Sequence, residues 1–410
     1  MIRPRNASVT FIFITLLLDT LGMGVVVPVL PSLIGSFLRG DLAAASGYYG
    51  AFVSVYAAMQ FVCAPILGGL SDRFGRRPVI LGSLLGAAFN YLVSALAPNL
   101  AWFFVGRVLA GCTGASFSAA NAYIADVTPP EKRAQSFGLI GAAFGLGFIL
   151  GPWLGGFLGG ISLRLPFFVA AGLNLLNCLY GLFVLPESLG RESRRPFTLR
   201  RANPLAAFGT LWRHPVVVGL SGTMIFAYLA QMILQSIWAL HTQQRFGWTT
   251  RQVGTSLMAV GLASALVQGG LVRVLMPWLR ERRALVVGLL FSAAGFAALG
   301  AATEGWMMYA FIGPFALGGL AGPAVQSLIS REVAASEQGE LQGSLASLAS
   351  LTSIAGPLLA TSLFARFSPP DADPRIPGAP FFAAACFQVA GLLLALRLFA
   401  RKTAEPTPAG

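Results

Sequence analysis

The chain has 410 residues, of which 56% are hydrophobic and 10% charged, with a mean hydropathy of +0.72. Soluble domains carry about 25% charged residues, so this composition excludes an ordinary soluble globular protein. A net charge of +13 would suggest nucleic acid as a partner for a soluble chain. Here the basic residues cluster in alternate loops between long apolar runs, which removes that reading.

A membrane span needs about 20 apolar residues. On that measure the first half of the chain predicts helices at 8–30, 47–70, 79–97, 100–124, 135–157 and 165–185. A charged, Pro-containing linker follows, and its end at 203–212 has the pattern of a short helix lying on the membrane surface. The second half predicts helices at 216–240, 252–276, 284–302, 306–329, 339–364 and 381–398. The expected fold is an all-α integral membrane protein of twelve spans, with an N-terminal bundle at 1–186, a linker at 187–213, a C-terminal bundle at 214–400 and a tail at 401–410. Arg3 and Arg5 before the first apolar run superficially suggest a signal peptide, but Asp19 inside the run argues that it is retained as the first span.

Orientation follows from the cations. Arg39, Arg164, Arg245, Arg251, Arg366 and Arg375 fall on one side and Arg107 falls within a span, which leaves 21 of the 28 Lys and Arg on the other side. Positive charge accumulates on the cytoplasmic face, so both termini and the linker are expected there. The halves echo each other. Gly111 and Gly114 recur as Gly319 and Gly322, 208 positions later (319−111), and Gly151-Pro152 recurs as Gly356-Pro357, 205 positions later (356−151). Paired Gly/Pro interruptions of this kind point to a transporter built from repeats. Cys63, Cys112, Cys178 and Cys386 stand singly, with neither disulfide nor metal spacing, and read as small packing residues.

Four groups of residues carry chemistry. Between the second and third helices, Gly68, Asp72, Arg73, Gly75, Arg76 and Arg77 form a polar island that must face water, with Gly75 for a tight turn and Pro78 opening the next helix. Asp19, near the midpoint of the first helix, is the only carboxylate well inside a span; Arg107 in the fourth helix is a possible structural partner or a cation that governs its proton. In the fifth helix Gly138, Gly147, Gly151, Pro152, Gly155 and Gly156 offer a face for close helix approach and a bend. Tyr228, Gln231, Gln235 and Trp238 share a face of the seventh helix and suit either a polar-decorated ligand or interhelical hydrogen bonding. Asn90, Asn121 and Gln326 are weaker pocket residues of the same kind; Asn174 and Asn177 read as interhelical links, and His214 and His241 as interfacial anchors.

These patterns resemble the major facilitator superfamily. The loop resembles its G-x-x-x-D-R-x-G-R-R signature, Arg107 with Gly111 and Gly114 resembles a fourth-helix motif tied to proton coupling, and the fifth helix matches the antiporter motif G-x8-G-x3-G-P-x2-G-G. Essentially the whole chain is similar to the tetracycline branch of the drug:proton antiporters, including Leu18-Asp19, Leu185-Pro186-Glu187-Ser188 and Gln338-Gly339. The resemblance implies a proton-coupled exporter of a hydrophobic or amphiphilic drug-like molecule in a bacterial inner membrane. It also implies that Asp126 pairs with Arg76 or Arg73, and that Asp72 meets the start of the eleventh helix as a cytoplasmic latch. The loop around 270–283 lacks an aspartate at the matching place, so the latch is expected to be asymmetric. The branch has ionisable groups where this chain has Asn90, Ser264 and Ser292, which predicts weak or no tetracycline transport and a preference for neutral or weakly charged amphiphiles. The implied partners are the substrate, protons and lipid, with no nucleic acid, cofactor or metal, and a single chain suffices. A nutrient symporter or uniporter is the alternative. A membrane enzyme or receptor is remoter, since two His and no Cys/His cluster give catalysis little to stand on.

Overall fold

A computed structural model describes residues 5–114, 116–129, 132–190, 192, 194, 215–334 and 337–404. The surface helix expected at 203–212, most of the linker, His214 and the end of the tail lie outside the described residues. The described elements are all helical: α1 (Arg5–Val26), α2 (Leu30–Phe37), α3 (Leu42–Phe74), α4 (Arg76–Leu96), α5 (Leu100–Thr113), α6 (Ser116–Val127), α7 (Arg133–Gly159) and α8 (Leu165–Val184). They continue with α9 (Pro215–Phe246), α10 (Thr250–Leu266), α11 (Val272–Ala301), α12 (Gly305–Leu317), α13 (Ala321–Arg331), α14 (Gln338–Phe367) and α15 (Ala379–Ala404).

Among the described residues ten helices are long and apolar enough to cross a membrane, or eleven when the bent pair α1 and α2 counts as one span. One of these stretches, Thr250–Ala301, holds 52 residues and reverses its backbone at Arg280 (φ 57°, ψ 162°), so it contains both the eighth and the ninth expected spans. The twelve expected helices are therefore all present, several of them broken. The first bends by 45° around Pro28. The tenth narrows to a 3-10 turn at Gly318–Leu320 between α12 and α13. The eighth widens to a π turn at Val267–Leu271. Capping explains some of the boundaries. Asp41 accepts from the N–H groups of Ala43 and Ala44 to start α3, and Gly75 at φ +108° stops it in a conformation that favours glycine.

The chain divides into two compact units, Met1–Pro204 with Gly247–Gly261, and Leu205–Phe246 with Leu262–Gly410. In the first, α1 packs on α7 and α8, α4 on α5 and α8, and α3 on α5. Its core gathers Phe11, Ile12, Leu16, Ile80, Leu84 and Tyr123. In the second, α9 packs on α14 and α15, and α11 on α12, α13 and α15, around Val217, Leu220, Leu285, Leu289, Val325 and Ile329. Large apolar side chains also face outward: Phe183 is 88% exposed and Trp278 78%. A contiguous water-facing surface of this kind is unfavourable, whereas hydrocarbon accepts it.

Asn177 links α8 to α1 by donating to Thr15 O at 3.1 Å, while the Thr15 hydroxyl donates to Asn177 Oδ1 at 3.2 Å. Asn174 instead bonds within its own helix, to Ala170 O. His241 is not an interfacial anchor. It is 1% exposed, packed edge-on against Phe246 and Phe381, with Nδ1 3.2 Å from Pro377 O. All four cysteines are free thiols, with Cys63 of α3 near Cys112 of α5.

Candidate functional site

Asp19 is 4% exposed, two turns before the end of α1. Tyr56 on α3 and Tyr91 on α4 both lie within its electrostatic reach, and both also feel Arg107 of α5. The Arg107 guanidinium sits over the Tyr56 ring, 5.5 Å from its centre, and Tyr49 lies within its reach as well. Tyr56 reaches α1 at Met23. The acid and the cation thus share an aromatic wall drawn from α3 and α4. Close approach makes this possible: a Cβ at Gly111 would strike Met59 and the Tyr56 backbone, and a Cβ at Gly106 would lie 2.6 Å from Ser94 Oγ. The three tyrosines escaped the reading of the sequence. Their only signal there was the seven-residue spacing of Tyr49 and Tyr56, which puts them on one helix face.

The polar island folds around Arg76, which is 8% exposed. Its guanidinium donates to Asp72 Oδ1 at 2.5 Å, to Ser71 Oγ at 2.6 Å and to Asp126 Oδ2 at 3.2 Å. The expected meeting of Asp126 with this loop is therefore through Arg76. Arg73 is exposed and lies over Phe74 instead, and Arg77 donates to Leu182 O at 2.6 Å. Gly68 has room for a side chain, with only Ser118 Oγ at 4.0 Å. Glu187, at the start of the linker, caps α4: it accepts from the backbone N–H of Arg76 at 2.8 Å and of Arg77 at 3.3 Å. Ser188 adds a bond to Asp126, and Tyr123 donates to Pro186 O. The first residues of the linker are thus part of the island.

The second unit repeats this clamp with the signs exchanged. Glu281 pairs with Arg331 across 50 positions, as Arg76 pairs with Asp126 across 50, and both partners lie 205 positions further on (281−76 and 331−126). The missing aspartate falls at Pro277, yet the clamp exists there in reversed polarity. The two clamps are therefore asymmetric in chemistry, although each half has one.

In α7 the glycines divide into two groups. Gly138 faces open space. A Cβ at Gly147 would lie 2.6 Å from Thr20 Cβ, one at Gly151 would lie 2.7 Å from Gly24 Cα, and one at Gly155 would overlap the Val25 backbone. Gly156 approaches Gly254 of α10 at 2.9 Å in the same sense. Pro152 packs its ring beside Gly24. This face of α7 therefore lies directly on the helix that carries Asp19.

In the second unit a cavity of about 360 Å³ opens between α9, α11 and α13. Tyr228 and Gln326 line it, and so does Gln268 from the π turn, which the sequence did not single out. Gln231 and Gln235 are accessible but lie outside its lining. Trp238 is a correction: at 1% exposure it packs in the interior, because the α9 face turns by the tenth residue away from the cavity. Asn90 is buried with Nδ2 on Ala87 O at 3.0 Å, and Asn121 is exposed on α6; neither touches this cavity.

Long lipid-compatible helices, broken where they flank an internal acid or a cavity, define a multi-pass membrane transporter. The sequence model described as the Major Facilitator Superfamily matches residues 12–300. The tetracycline resistance protein of class C from Escherichia coli is 43% identical over 88% of this chain and 90% of its own length. The class D protein from Salmonella ordonez is 38% identical over 97% and 98%. The solved structure of the human organic anion transporter MFSD10 superposes with a TM-score of 0.70 at 27% identity, covering 96% of this chain and 100% of that one. The chain belongs to the major facilitator superfamily, in the branch of the tetracycline resistance proteins.

Proposed function

We propose that the protein is a proton-coupled antiporter that exports a hydrophobic or amphiphilic drug-like molecule. The observation that carries this reading is Asp19, a carboxylate 4% exposed inside α1 beside the Tyr56, Tyr91 and Arg107 cluster. An ionisable group kept inside a span at such cost is there to change charge. With the cavity open outward Asp19 takes a proton; with it open inward Asp19 releases the proton, and substrate then moves out. Arg107 is the neighbouring cation that governs how readily Asp19 gives its proton up. The Arg76 island and the Glu281–Arg331 pair hold the cytoplasmic ends of the helices during the exchange, and Asp72 completes the gate. The relatives named for tetracycline resistance support efflux of a drug. The protein works as a monomer in a bacterial inner membrane, with both termini cytoplasmic, two six-helix halves and the linker between them. The family moves small molecules across membranes, and the protein has no enzymatic step of its own.

The test is Asp19→Asn in energised inverted vesicles. Export against a gradient should vanish while the protein remains folded and inserted. Accumulation at the wild-type level by the variant would place coupling elsewhere.

A further inference from the structure

We propose that the second unit holds a discrete binding cavity for an uncharged, flat molecule whose rim offers carbonyl and hydroxyl groups, and that Gln268 and Gln326 recognise it. This rests on the transporter reading for its physiological meaning, but the binding itself is independent of proton coupling. Three observations carry it.

The first is shape. The cavity of about 360 Å³ falls in the range of small-ligand sites. Gly322 lines it, and a Cβ there would meet nothing within 4 Å. The space is real room beside a backbone, not a gap between interlocked side chains.

The second is the backbone around it. The π turn at Val267–Leu271 and the 3-10 turn at Gly318–Leu320 are in contact with each other; the π turn supplies the lining residue Gln268, and the 3-10 turn ends one residue before Ala321, which also lines the cavity. A π turn inserts a residue into a helix, re-aims its side chains and recurs at functional sites. Here it places Gln268 in the cavity lining, and its stem lies beside Gly319 of the 3-10 turn, where a Cβ would be at ordinary contact distance. Irregular backbone at membrane depth is tolerated where it lines a cavity.

The third is chemistry. No lining residue is Asp, Glu, Lys, Arg or His. A charged ligand in so apolar a wall would be desolvated with no counter-charge, which is prohibitive. The polar groups are two amides and a phenol. Gln326 donates Nε2 to Gln342 Oε1 at 2.8 Å, which fixes its rotamer. Thr223 is already committed to backbone carbonyls of α9 and α15. Amides both donate and accept, so they match a rim of neutral oxygens, while Leu285, Leu289 and Pro323 supply flat apolar contact.

The experiment measures equilibrium binding to the full chain in nanodiscs. The probes are chloramphenicol, an uncharged aromatic amide with hydroxyl groups, and ethidium, a flat permanent cation. Wild type should bind chloramphenicol, and ethidium should bind far more weakly. Gln268→Ala should weaken chloramphenicol about ten-fold, the value of one buried hydrogen bond. Gly322→Leu, which fills the space, should abolish binding, with Gly322→Ala intermediate. The proposal is overturned if wild type fails to bind chloramphenicol, if ethidium binds as tightly, or if Gln268→Ala and Gly322→Ala both bind like wild type. Loss of vesicle transport with binding intact would instead count against the antiporter reading alone.

Discussion

Replacing Gly155 by alanine tests whether the glycine face of α7 is a packing seam against the Asp19 helix. In a helix interior, glycine to alanine is ordinarily stabilising by about 0.5–1 kcal/mol, because it restricts the unfolded chain. At Gly155 the new Cβ would overlap Val25 O, C and Cα, and a backbone cannot swing aside as a side chain does. Overpacking of that kind costs about 1–3 kcal/mol. The net effect should be a loss of about 0.5–2 kcal/mol and a displacement of α1, six residues from Asp19. Gly138→Ala in the same helix meets nothing within 4 Å and should be neutral or slightly stabilising. Thermal unfolding in detergent, followed by tryptophan fluorescence, gives both signs in one assay, and vesicle transport reads the displacement. If Gly155→Ala melts at or above wild type while Gly138→Ala melts below it, the seam is not where the stability lies.

Glu187→Ala removes the acceptor for the backbone N–H groups of Arg76 and Arg77 and should cost about 1 kcal/mol locally. Hydrogen exchange of those two amides should accelerate by about five-fold, and unchanged protection would show that the cap is dispensable. Arg280 holds φ +57° where glycine would be unstrained, so Arg280→Gly should raise the melting point, by the equivalent of about 1 kcal/mol; a fall would mean that its side chain contributes more than its backbone costs. Reversing the second clamp as Glu281→Arg or Arg331→Glu should slow transport, and the double reversal should restore it; a double variant as slow as either single would separate the pair from function.

The helical order was legible because each span exceeds the length that hydrocarbon demands, and the bend at Pro28 and the turn at Gly75 followed from those residues. The Arg76 to Asp126 meeting followed from resemblance, and the geometry located it on one guanidinium. What lay hidden was long-range. Glu187 caps a helix 111 positions away, a partnership with no local period. The tyrosines beside Asp19 look like ordinary membrane aromatics until three helices bring them together. Gln268 was invisible because a π turn breaks the 3.6-residue spacing by which a helix face is read. The same spacing carried Trp238 onto a ligand face, when by the third turn that face has rotated into the core.

The two units keep one frame and have let its chemistry diverge. In each, the glycine of the Gly-Pro step lies against the first helix of its own half: Gly151 on Gly24, and Gly356 on Met232, which stand 208 positions apart (232−24). In each, a positive-φ residue turns the chain at the clamp, Gly75 in one and Arg280 in the other, 205 apart (280−75). What a rigid seam and a tight turn require is backbone geometry, and geometry is what the repeat preserves. The side chains answer to different demands. Asp19, Arg107 and three tyrosines give the first unit the charges that the proposed proton exchange would use, while the second lines its cavity with apolar side chains, two amides, a phenol and no formal charge. A site that must gain and lose a proton needs a field that favours neither state absolutely, whereas one that holds a neutral molecule needs that field kept away. Separate halves satisfy both demands at once, and a single mixed pocket would compromise each.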